Sequence, residues 1–480
     1  MRREPERGLV RRLRWQDVYR ETELYKAALR VYTKPLFQWR KALSTSTDGR
    51  TLYDFAGRGL RGLDVLHRSL VRQDFCFRPA VALKYNFNGK CRTLYISPWE
   101  ERIVDLLLYR LLNQKLRTWF SPNSYAYRDR MNGLDRCQAR IARIVGSAAS
   151  PLYLIKRDIA DYFASIDHAR MFDQLSLLVD RGDYLSGLLA QRIRFEFRDE
   201  EGEHIANVGI PFGSAIACAL ANIFLTGLDR EIEALGETEY FRYADDILLL
   251  TSGRERALAA KHRLEDGLAR LCLRTKLSHQ ADLVLDTSPA DDPEFTAARE
   301  FRHLGLLFRA GGAVGLSRDK LGKIQNLFRF AFRRGRRRWR RLSDPRERAR
   351  TLTAIAAEVL ERGVRNVAII DYYLKHVDDE NQLRRLDRWL ADEVLSRVFG
   401  GHKKGHFRRV SFRELRAAGL PSLLHWRRLI LNKKIESPFF IWQKEKKARA
   451  FPGTVARRGR ATREPAAFSP LPEAAAGISP

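Results

Sequence analysis

Two adjacent acidic residues lie between two apolar segments in the stretch FRYADDILLL, residues 241–250. The flanking segments, 239–243 and 247–251, are rich in strand-forming residues, and Asp is common in turns. Successive side chains of an extended strand point to opposite faces, so Asp245 and Asp246 can meet one partner only where the backbone turns. The stretch therefore predicts a β-hairpin with both acids at its tip. A solvated turn would explain an isolated Asp-Asp pair equally well.

A third acidic residue follows another apolar run in Leu154-Ile-Lys-Arg-Asp158, and this pattern indicates a strand that ends in an exposed carboxylate. Three carboxylates that meet repel one another strongly, and hard divalent cations relieve that repulsion. Magnesium held by a few carboxylates, with its other positions left to water and phosphate oxygens, catalyses nucleotidyl transfer. Asp158 therefore completes a candidate set of metal-binding acids.

The charge of the chain favours a polyanionic partner. Its 480 residues include 88 Lys and Arg against 58 Asp and Glu, a net charge of +30. Such an excess binds phosphates through counterion release, so nucleic acid is the first expectation and a membrane surface the second. No apolar run reaches the roughly 20 residues that span a bilayer, and no signal peptide is evident, so we expect a cytoplasmic protein. The cysteines form an odd set without metal-ligand spacing, which predicts reduced thiols.

The order of sequence patterns predicts a mixed centre between two helical regions. Residues 1–75 have helical spacing without a clear strand. Asn88-Gly89 lies between strand-like runs, which is a strong hairpin signal. Strand-like and helix-like segments alternate over residues 150–310, and the chain is helical again beyond Leu316. The last thirty residues, rich in Pro, Ala, Gly and Arg, predict a disordered tail.

Five segments occur in the order LIKRDIADYFASID, GIPFGSAIACALANIFLTGLD, FRYADDILLL, LCLRTKL and FRHLGLLF. Together they resemble the successive palm motifs of reverse transcriptases, in particular the bacterial lineage of group II intron, retron and defence-associated enzymes. The resemblance covers residues 75–310, and the Tyr-Ala-Asp-Asp box is its most specific element. It implies an α+β right-hand polymerase fold with an antiparallel palm sheet and an all-helical C-terminal extension. The implied domains are a helical N-terminal region (1–75), fingers (76–145), palm with part of the fingers (146–312), helical thumb and extension (313–449) and a disordered tail (450–480).

The resemblance assigns Asp158, Asp245 and Asp246 to two Mg²⁺ ions, with Mn²⁺ as an alternative and the backbone carbonyl of Ile159 as an extra ligand. One ion would activate the primer 3′-hydroxyl, and the other would steady the triphosphate and the leaving pyrophosphate. Lys276 stands where the family has a lysine that protonates pyrophosphate, although the adjacent Arg274 competes for that assignment.

Other residues match the nucleotide pocket of the family. Phe163 would lie under the incoming sugar and exclude a ribose 2′-hydroxyl, so the product should be DNA; a plain core aromatic is the alternative. Gly213 belongs to the motif that approaches the nascent base pair. The family commonly has Gln where this chain has Phe212, and Ser-Pro where it has Ala217-Cys218. These departures put ordinary templating and fidelity in doubt.

Basic residues match the phosphate contacts of the family. Lys84 and Arg92, on the two arms of the Asn88-Gly89 hairpin, resemble the pair that grips the triphosphate. The turn is longer than usual here, so Lys90 could replace Lys84. A plain basic surface would also explain these isolated charges.

Further residues are expected to contact nucleic acid. Arg128 and Tyr243 match positions near the template and nucleotide. On one helix after the palm, Arg329, Arg333, Arg336, Arg337 and Arg340 would line one side, and Arg333, Arg337 and Arg340 are our choices for the template-primer backbone. The segment 402–409 is a second basic patch, suited to a structured RNA. His303-Leu-Gly305 matches the primer-grip turn, which a structural hairpin would explain equally well.

The sequence therefore predicts an RNA-directed DNA polymerase that adds dNTPs to a 3′-hydroxyl. Its expected partners are an RNA template, with a structured non-coding RNA as one option, a DNA primer and product, and a partner protein or second copy; no membrane is expected. Lack of the Val-Thr-Gly box of retron enzymes, and of any cysteine beyond Cys272 for a zinc endonuclease, favours antiviral defence or another domesticated role. The alternatives are protein-primed or non-conventionally templated synthesis by the same site, and an inactive RNA-binding scaffold of the maturase kind.

Overall fold

A computed structural model describes residues 12–33, 43–57, 59–87, 90–128, 132–148, 151–288, 292–362 and 369–436. The predicted tail at 450–480, the Asn88-Gly89 turn and part of the predicted N-terminal region lie outside these residues. Within them, no helix is both long and apolar enough to cross a membrane.

Helices make up most of the described chain on both sides of a mixed centre. They are α1 Trp15–Val18, α2 Glu21–Thr33, α3 Leu52–Gly57, α4 Gly59–Arg72, α5 Trp99–Lys115, α6 Leu134–Ser147, α7 His168–Ser176, α8 Tyr184–Ile193, α9 Ala215–Glu233, α10 Arg254–Arg270, α11 Arg318–Arg334, α12 Arg336–Arg340, α13 Pro345–Arg362, α14 Glu380–Phe399, α15 His406–Arg409, α16 Phe412–Ala417 and α17 Leu423–Leu431.

The strands form three sheets. They are β1 Ala80–Phe87, β2 Lys90–Ile96, β3 Leu152–Asp158, β4 Glu196–Arg198, β5 Glu203–Ile205, β6 Glu239–Tyr243, β7 Asp246–Thr251, β8 Ala281–Leu285, β9 Thr296–Ala298, β10 Glu300–His303, β11 Leu306–Arg309 and β12 Val314–Leu316. The strand orders are β2-β1-β4-β5, β6-β7-β3-β8-β9 and β10-β11-β12.

The five-stranded sheet separates two hydrophobic cores. Its central strands β7 and β3 are antiparallel, as are all its pairs except the parallel edge pair β8-β9. Along β7, Ile247 and Leu249 pack into one core, and Leu248 and Leu250 pack into the other. A strand covered on both faces needs a continuous apolar run, and this explains why β7 shows no polar alternation. The first core contains α5, α9 and α10; the second contains α11, α13 and α14.

The predicted basic helix after the palm is interrupted at Gly335. Helix α11 ends at Arg334 and α12 begins at Arg336. A Cβ on Gly335 would lie 2.6 Å from Ile355 Cδ1, so α13 packs closely against the backbone at this break. The prediction of one continuous helix is therefore wrong: Arg329 and Arg333 belong to α11, and Arg336, Arg337 and Arg340 belong to α12.

The predicted fold class is confirmed: the described chain is α+β, with mainly antiparallel sheets in the centre and helices after β12. The domain boundaries stay predictions.

Candidate active site

The predicted hairpin is formed by β6 and β7, with the two acids at its tip. Tyr243 pairs with Asp246 in the antiparallel register, so Ala244 and Asp245 make a two-residue turn. Ala244 has a φ of +60°, a left-handed conformation that is costly for a residue with a Cβ. The backbone is therefore strained at Ala244, directly before the two carboxylates of the hairpin tip.

The end of β3 brings the third acid to this tip. Asp158 pairs directly with Asp246 across the β3-β7 ladder. One residue further on, the Ile159 N–H donates a 3.0 Å hydrogen bond to the Asp245 carbonyl. The backbone therefore fixes the predicted convergence of Asp158, Asp245 and Asp246.

A third segment, residues 274–276, closes the site from the other side of Asp158. The Ala160 N–H donates to the Arg274 carbonyl and the Lys276 N–H to the Asp158 carbonyl, both at 2.8 Å. The Lys276 ammonium donates to Asp158 Oδ1 and lies 3.7 Å from Asp245 Oδ2. Of the two basic residues named from the sequence, the structure thus brings Lys276 to the carboxylates.

Burial makes the hairpin carboxylates difficult to ionise. It raises the pKa of Asp245, and the charge of Asp158 adds to that rise. Burial raises the pKa of Asp246 to about 7; the Lys156 ammonium opposes this shift, and the charges of Asp158 and Asp245 add to it. Asp246 Oδ1 is buried without a hydrogen-bond partner. These are the properties of a carboxylate site that needs a cation.

The donor set suits a hard divalent cation. Carboxylate oxygens from two adjacent strands meet at the hairpin tip, and the Lys276 ammonium already lies beside two of them. Across the described ranges, no three acidic, histidine or cysteine side chains are already grouped closely enough to hold a metal ion. Side-chain rotation of Asp158, Asp245 and Asp246 would therefore have to accompany metal binding.

The raised pKa of Asp246 predicts a pH-dependent stability of the metal-free protein. Between about pH 4 and pH 7 the folded protein keeps a proton that the unfolded chain has lost, so stability falls as the pH rises. Asp246→Asn cannot ionise and escapes this loss. We expect the difference in unfolding free energy between Asp246→Asn and the wild type to grow by about 2 kcal/mol from pH 5 to pH 8 in EDTA. This value is reduced to allow for solvent screening of the partly exposed carboxylate. Denaturant titrations with exposed Asp266→Asn as the control measure this, and a constant difference would contradict it.

The predicted sugar contact, Phe163, belongs to an aromatic cluster with Phe212 and Tyr127. Phe163 belongs to a short 3₁₀ turn, and its ring centroid is 5.2 Å from Phe212 and 6.2 Å from Tyr127. The Ile210 N–H donates 2.8 Å to the Phe163 carbonyl, and a Cβ on Gly209 would lie 2.9 Å from Ala164 Cα. The glycine that close packing requires is thus Gly209. Gly213 has a φ of +108° and ordinary spacing around it.

The β1-β2 hairpin places Arg92 and Lys84 on opposite faces. Arg92 pairs with Tyr85 and Lys84 pairs with Thr93, and neighbouring positions of a strand alternate in direction. The Arg92 guanidinium lies over the Phe212 ring, 5.6 Å from its centroid, and so faces the aromatic cluster. The structure thus brings Arg92 to the site and leaves Lys84 on the other face. The Lys90 side chain is outside the described part.

The residues predicted to contact nucleic acid differ in their partners and in their exposure to solvent. The Arg128 guanidinium donates hydrogen bonds to the Ser121 and Arg117 carbonyls at 3.0 Å and stacks on Phe120. It therefore stabilises the loop to which it belongs. Tyr243 is half-buried, directly across from Asp246. The three arginines predicted to contact the template-primer backbone have exposed side chains: Arg333, Arg337 and Arg340.

Two basic groups singled out from the sequence have acidic or aromatic partners. Arg329 contacts Glu393 at 3.2 Å and stacks on Trp389. In the 402–409 patch, His402 bonds Asp392 at 2.5 Å, and His406 is buried against Phe399.

The sequence patterns did not reveal a buried ion pair beneath the hairpin. Arg242 is fully buried and donates two hydrogen bonds to Asp229, at 2.7 and 2.6 Å. Its Nη1 also donates to Asn222 at 3.1 Å. Two features of the sequence could have predicted this pair: a charged residue within the apolar run of β6, and an acidic residue within the apolar helix α9.

Part of the chain is similar in sequence to known proteins. Residues 84–306 match the family model of reverse transcriptase (RNA-dependent DNA polymerase). An uncharacterized 91 kDa protein in the cob intron of Schizosaccharomyces pombe is 25% identical over 180 residues, which are 37% of this chain and 22% of that protein. A putative COX1/OXI3 intron 2 protein of Saccharomyces cerevisiae is 25% identical over 186 residues, 38% of this chain and 21% of that protein. The chain thus matches about a fifth of each relative's length.

One similar solved structure is telomerase from Candida albicans in complex with a TWJ fragment of telomeric RNA. Its TM-score is 0.46 at 9% sequence identity, and the match covers 76% of this chain and 69% of that one. Apo telomerase from Candida tropicalis gives 0.42 at 9% identity, with 80% and 68% covered. The segment that matches the family model contains all three aspartates at the hairpin tip. The chain carries, at residues 84–306, a domain of the reverse transcriptase family.

Proposed function

We propose that the protein is an RNA-directed DNA polymerase that adds dNTPs to a primer 3′-hydroxyl. The observation that carries this proposal is the meeting of Asp158, Asp245 and Asp246 at one hairpin tip beside Lys276. The match to a family described as RNA-dependent DNA polymerase supports an RNA template. The net charge of +30 favours retention of a template-primer duplex through its phosphates.

The residues of the site have distinct tasks in this reaction. Asp158, Asp245 and Asp246 would hold two Mg²⁺ ions, or Mn²⁺, which when bound supply the charge that activates the 3′-hydroxyl and steadies the leaving pyrophosphate. Lys276 is placed to give a proton to that pyrophosphate. Arg92 binds the triphosphate through its planar fork, and the Phe212 ring beneath it restrains its position.

Phe163→Ala is expected to admit ribonucleotides. The Phe163 ring closes the pocket together with Phe212 and Tyr127, and its removal opens space for a 2′-hydroxyl. We expect the rNTP/dNTP ratio of kcat/KM to rise by about 10- to 100-fold. Single-nucleotide extension with matched rNTP and dNTP measures this ratio.

Phe172→Ala is the matched control for the sugar pocket. Phe172 is also a half-buried phenylalanine, but it belongs to α7 and lies under Arg194, 5.0 Å from the ring centroid. Its replacement should leave the ratio unchanged. Equal ratios for Phe163→Ala and the wild type would reduce Phe163 to a core aromatic.

The proposed function is tested by primer extension with the purified chain. The reaction contains an RNA template, an annealed DNA primer, four dNTPs and MgCl₂, and parallel reactions contain a DNA template or EDTA. Extension that copies the RNA and stops in EDTA supports the proposal. No incorporation on any template, with the wild-type fold intact, would overturn it.

A second candidate is an RNA-binding scaffold of the maturase kind. Both curated relatives are named as intron proteins, which favours a role with intron RNA. The presence of all three acids favours a working catalyst instead. Deep sequencing of copurified nucleic acid from wild type and Asp245→Ala separates the two, because only a polymerase leaves DNA that the variant lacks.

Priming and biological role are further parts of the proposal. Phe212 at the pocket favours protein-primed or template-restricted synthesis, and the same sequencing would reveal DNA joined to protein. Antiviral defence, or another domesticated role, is the pathway we propose.

A further inference from the structure

His303 lies at the catalytic hairpin although it belongs to a different sheet. It ends β10, where it pairs with Leu306 across a tight turn of Leu304 and Gly305, both at positive φ. Gln138 Nε2 donates 3.1 Å to the Leu304 carbonyl, and Ser317 Oγ donates 3.0 Å to the Gly305 carbonyl. The turn is thus held from both sides, which fixes the position of the histidine.

The ring of His303 is fully buried beside a catalytic carboxylate. Its side chain is 0% exposed, and Nδ1 lies 3.5 Å from Asp246 Oδ1. Neither ring nitrogen has a hydrogen-bond partner, and Asp246 Oδ1 has none either. Buried polar atoms without partners cost free energy, so two such atoms facing each other need an explanation.

Two ammonium groups act on the Asp246 carboxylate, that of Lys156 more strongly than that of Lys276. Lys156 forms an ion pair with Oδ1. Its ammonium lies 3.9 Å from Asp246 Oδ1 and donates 3.3 Å to the Arg302 carbonyl. Lys156 therefore supplies charge at a longer distance, whereas the histidine supplies a directed N–H. A neutral imidazole has one N–H to give.

We propose that His303 is a positioning residue for the catalytic metal site: its Nδ1–H donates to Asp246 Oδ1 and fixes the orientation of that carboxylate. This inference rests on the proposed function, because it assigns Asp246 to a divalent cation. A small rotation of the carboxylate would close the 3.5 Å gap and would leave Oδ2 available to hold the ion. The nitrogen Nε2 then remains an acceptor in the neutral tautomer.

Partners behind a metal ligand set its orientation, and their loss typically weakens metal binding about 10- to 100-fold. His303→Leu fills similar space without a donor and should show this loss. His303→Asn places a side-chain N–H near the position of Nδ1 and should recover binding to within about threefold of the wild type.

The test measures Mn²⁺ binding to the full-length chain by electron paramagnetic resonance, independently of turnover. The samples are wild type, His303→Leu, His303→Asn and, as the variant with a damaged site, Asp245→Asn. Thermal unfolding of each in EDTA is recorded in parallel. Weakened Mn²⁺ binding by His303→Leu, recovered in His303→Asn at equal melting temperatures, supports the proposal.

Unchanged Mn²⁺ affinity in His303→Leu overturns the positioning role, as does an equal loss in His303→Leu and His303→Asn. A wild-type chain that binds no Mn²⁺ overturns both this inference and the proposed function. A wild-type chain that binds Mn²⁺ in a His303-dependent way, but extends no primer, overturns only the proposed function.

Discussion

Asp245→Asn should reduce the rate of primer extension by about 10³-fold or more while the protein stays folded. The substitution keeps the shape of the side chain and removes the charge that would hold a cation at the hairpin tip. Loss of one group that stabilises transition-state charge costs about 10²- to 10³-fold, and groups that act as a unit cost more. Single-turnover extension of a DNA primer on an RNA template measures the rate.

Folding should survive Asp245→Asn because the native carboxylate is under electrostatic strain. Burial and the charge of Asp158 raise the pKa of Asp245, so its ionised form is disfavoured in the metal-free protein. The melting temperature in EDTA should therefore equal or exceed that of the wild type.

Asp266→Asn is the control for this prediction, since Asp266 is an exposed carboxylate on α10. It should leave the extension rate unchanged. An Asp245→Asn protein that extends primers within tenfold of the wild type would contradict the assignment of this hairpin as the catalytic centre.

The hairpin and its third acid could be predicted because short-range patterns determine them. Two strand-like runs around an Asp-containing turn specify β6 and β7, and an apolar run ending in Asp158 specifies β3. The position of Lys276 needed more, because its backbone pairs with the Asp158 carbonyl only after α10 has returned the chain to the sheet. The order of the motifs singled out Lys276, and the path of the chain after α10 explains its contact with Asp158.

Lys84 and Arg92 lie on opposite faces because of the register between β1 and β2. The register pairs Phe87 with Lys90 and Lys84 with Thr93. Arg92 is one position away from Thr93 and so projects from the other face. The strand register therefore keeps the two basic residues from gripping the same phosphate from one face.

Arginines were the residues whose surroundings the sequence did not reveal. Arg128 is predicted to contact nucleic acid but bonds backbone carbonyls of its own loop, and Arg329 meets Glu393 from a distant helix. Such partners depend on tertiary packing, so a basic pattern cannot identify them. Gly335 is comparable, because its close contact with Ile355 of α13 arises only from tertiary packing.

Arg242→Ala should have the largest effect on stability, a loss of about 3 to 5 kcal/mol in the free energy of unfolding. Arg242 and Asp229 are both 0% exposed and share two hydrogen bonds, and the Tyr240 hydroxyl donates 2.6 Å to the same carboxylate. Removing the guanidinium leaves Asp229 buried with its charge uncompensated. Because β6 leads directly to the hairpin tip that carries the proposed metal-binding acids, primer extension should fall together with stability. Urea titration followed by circular dichroism measures the loss.

Arg256→Ala is the matched control for the buried pair. Arg256 meets Glu237 at 2.6 Å, but the two side chains are 54% and 69% exposed, so this loss should stay below about 1 kcal/mol. The double change Arg242→Leu with Asp229→Leu removes both charges and should destabilise less than Arg242→Ala alone, because no unpaired ion remains. If Arg242→Ala cost no more than Arg256→Ala, the buried pair would not support the hairpin. If the double variant cost more than the single one, the loss would come from packing rather than from the uncompensated charge of Asp229.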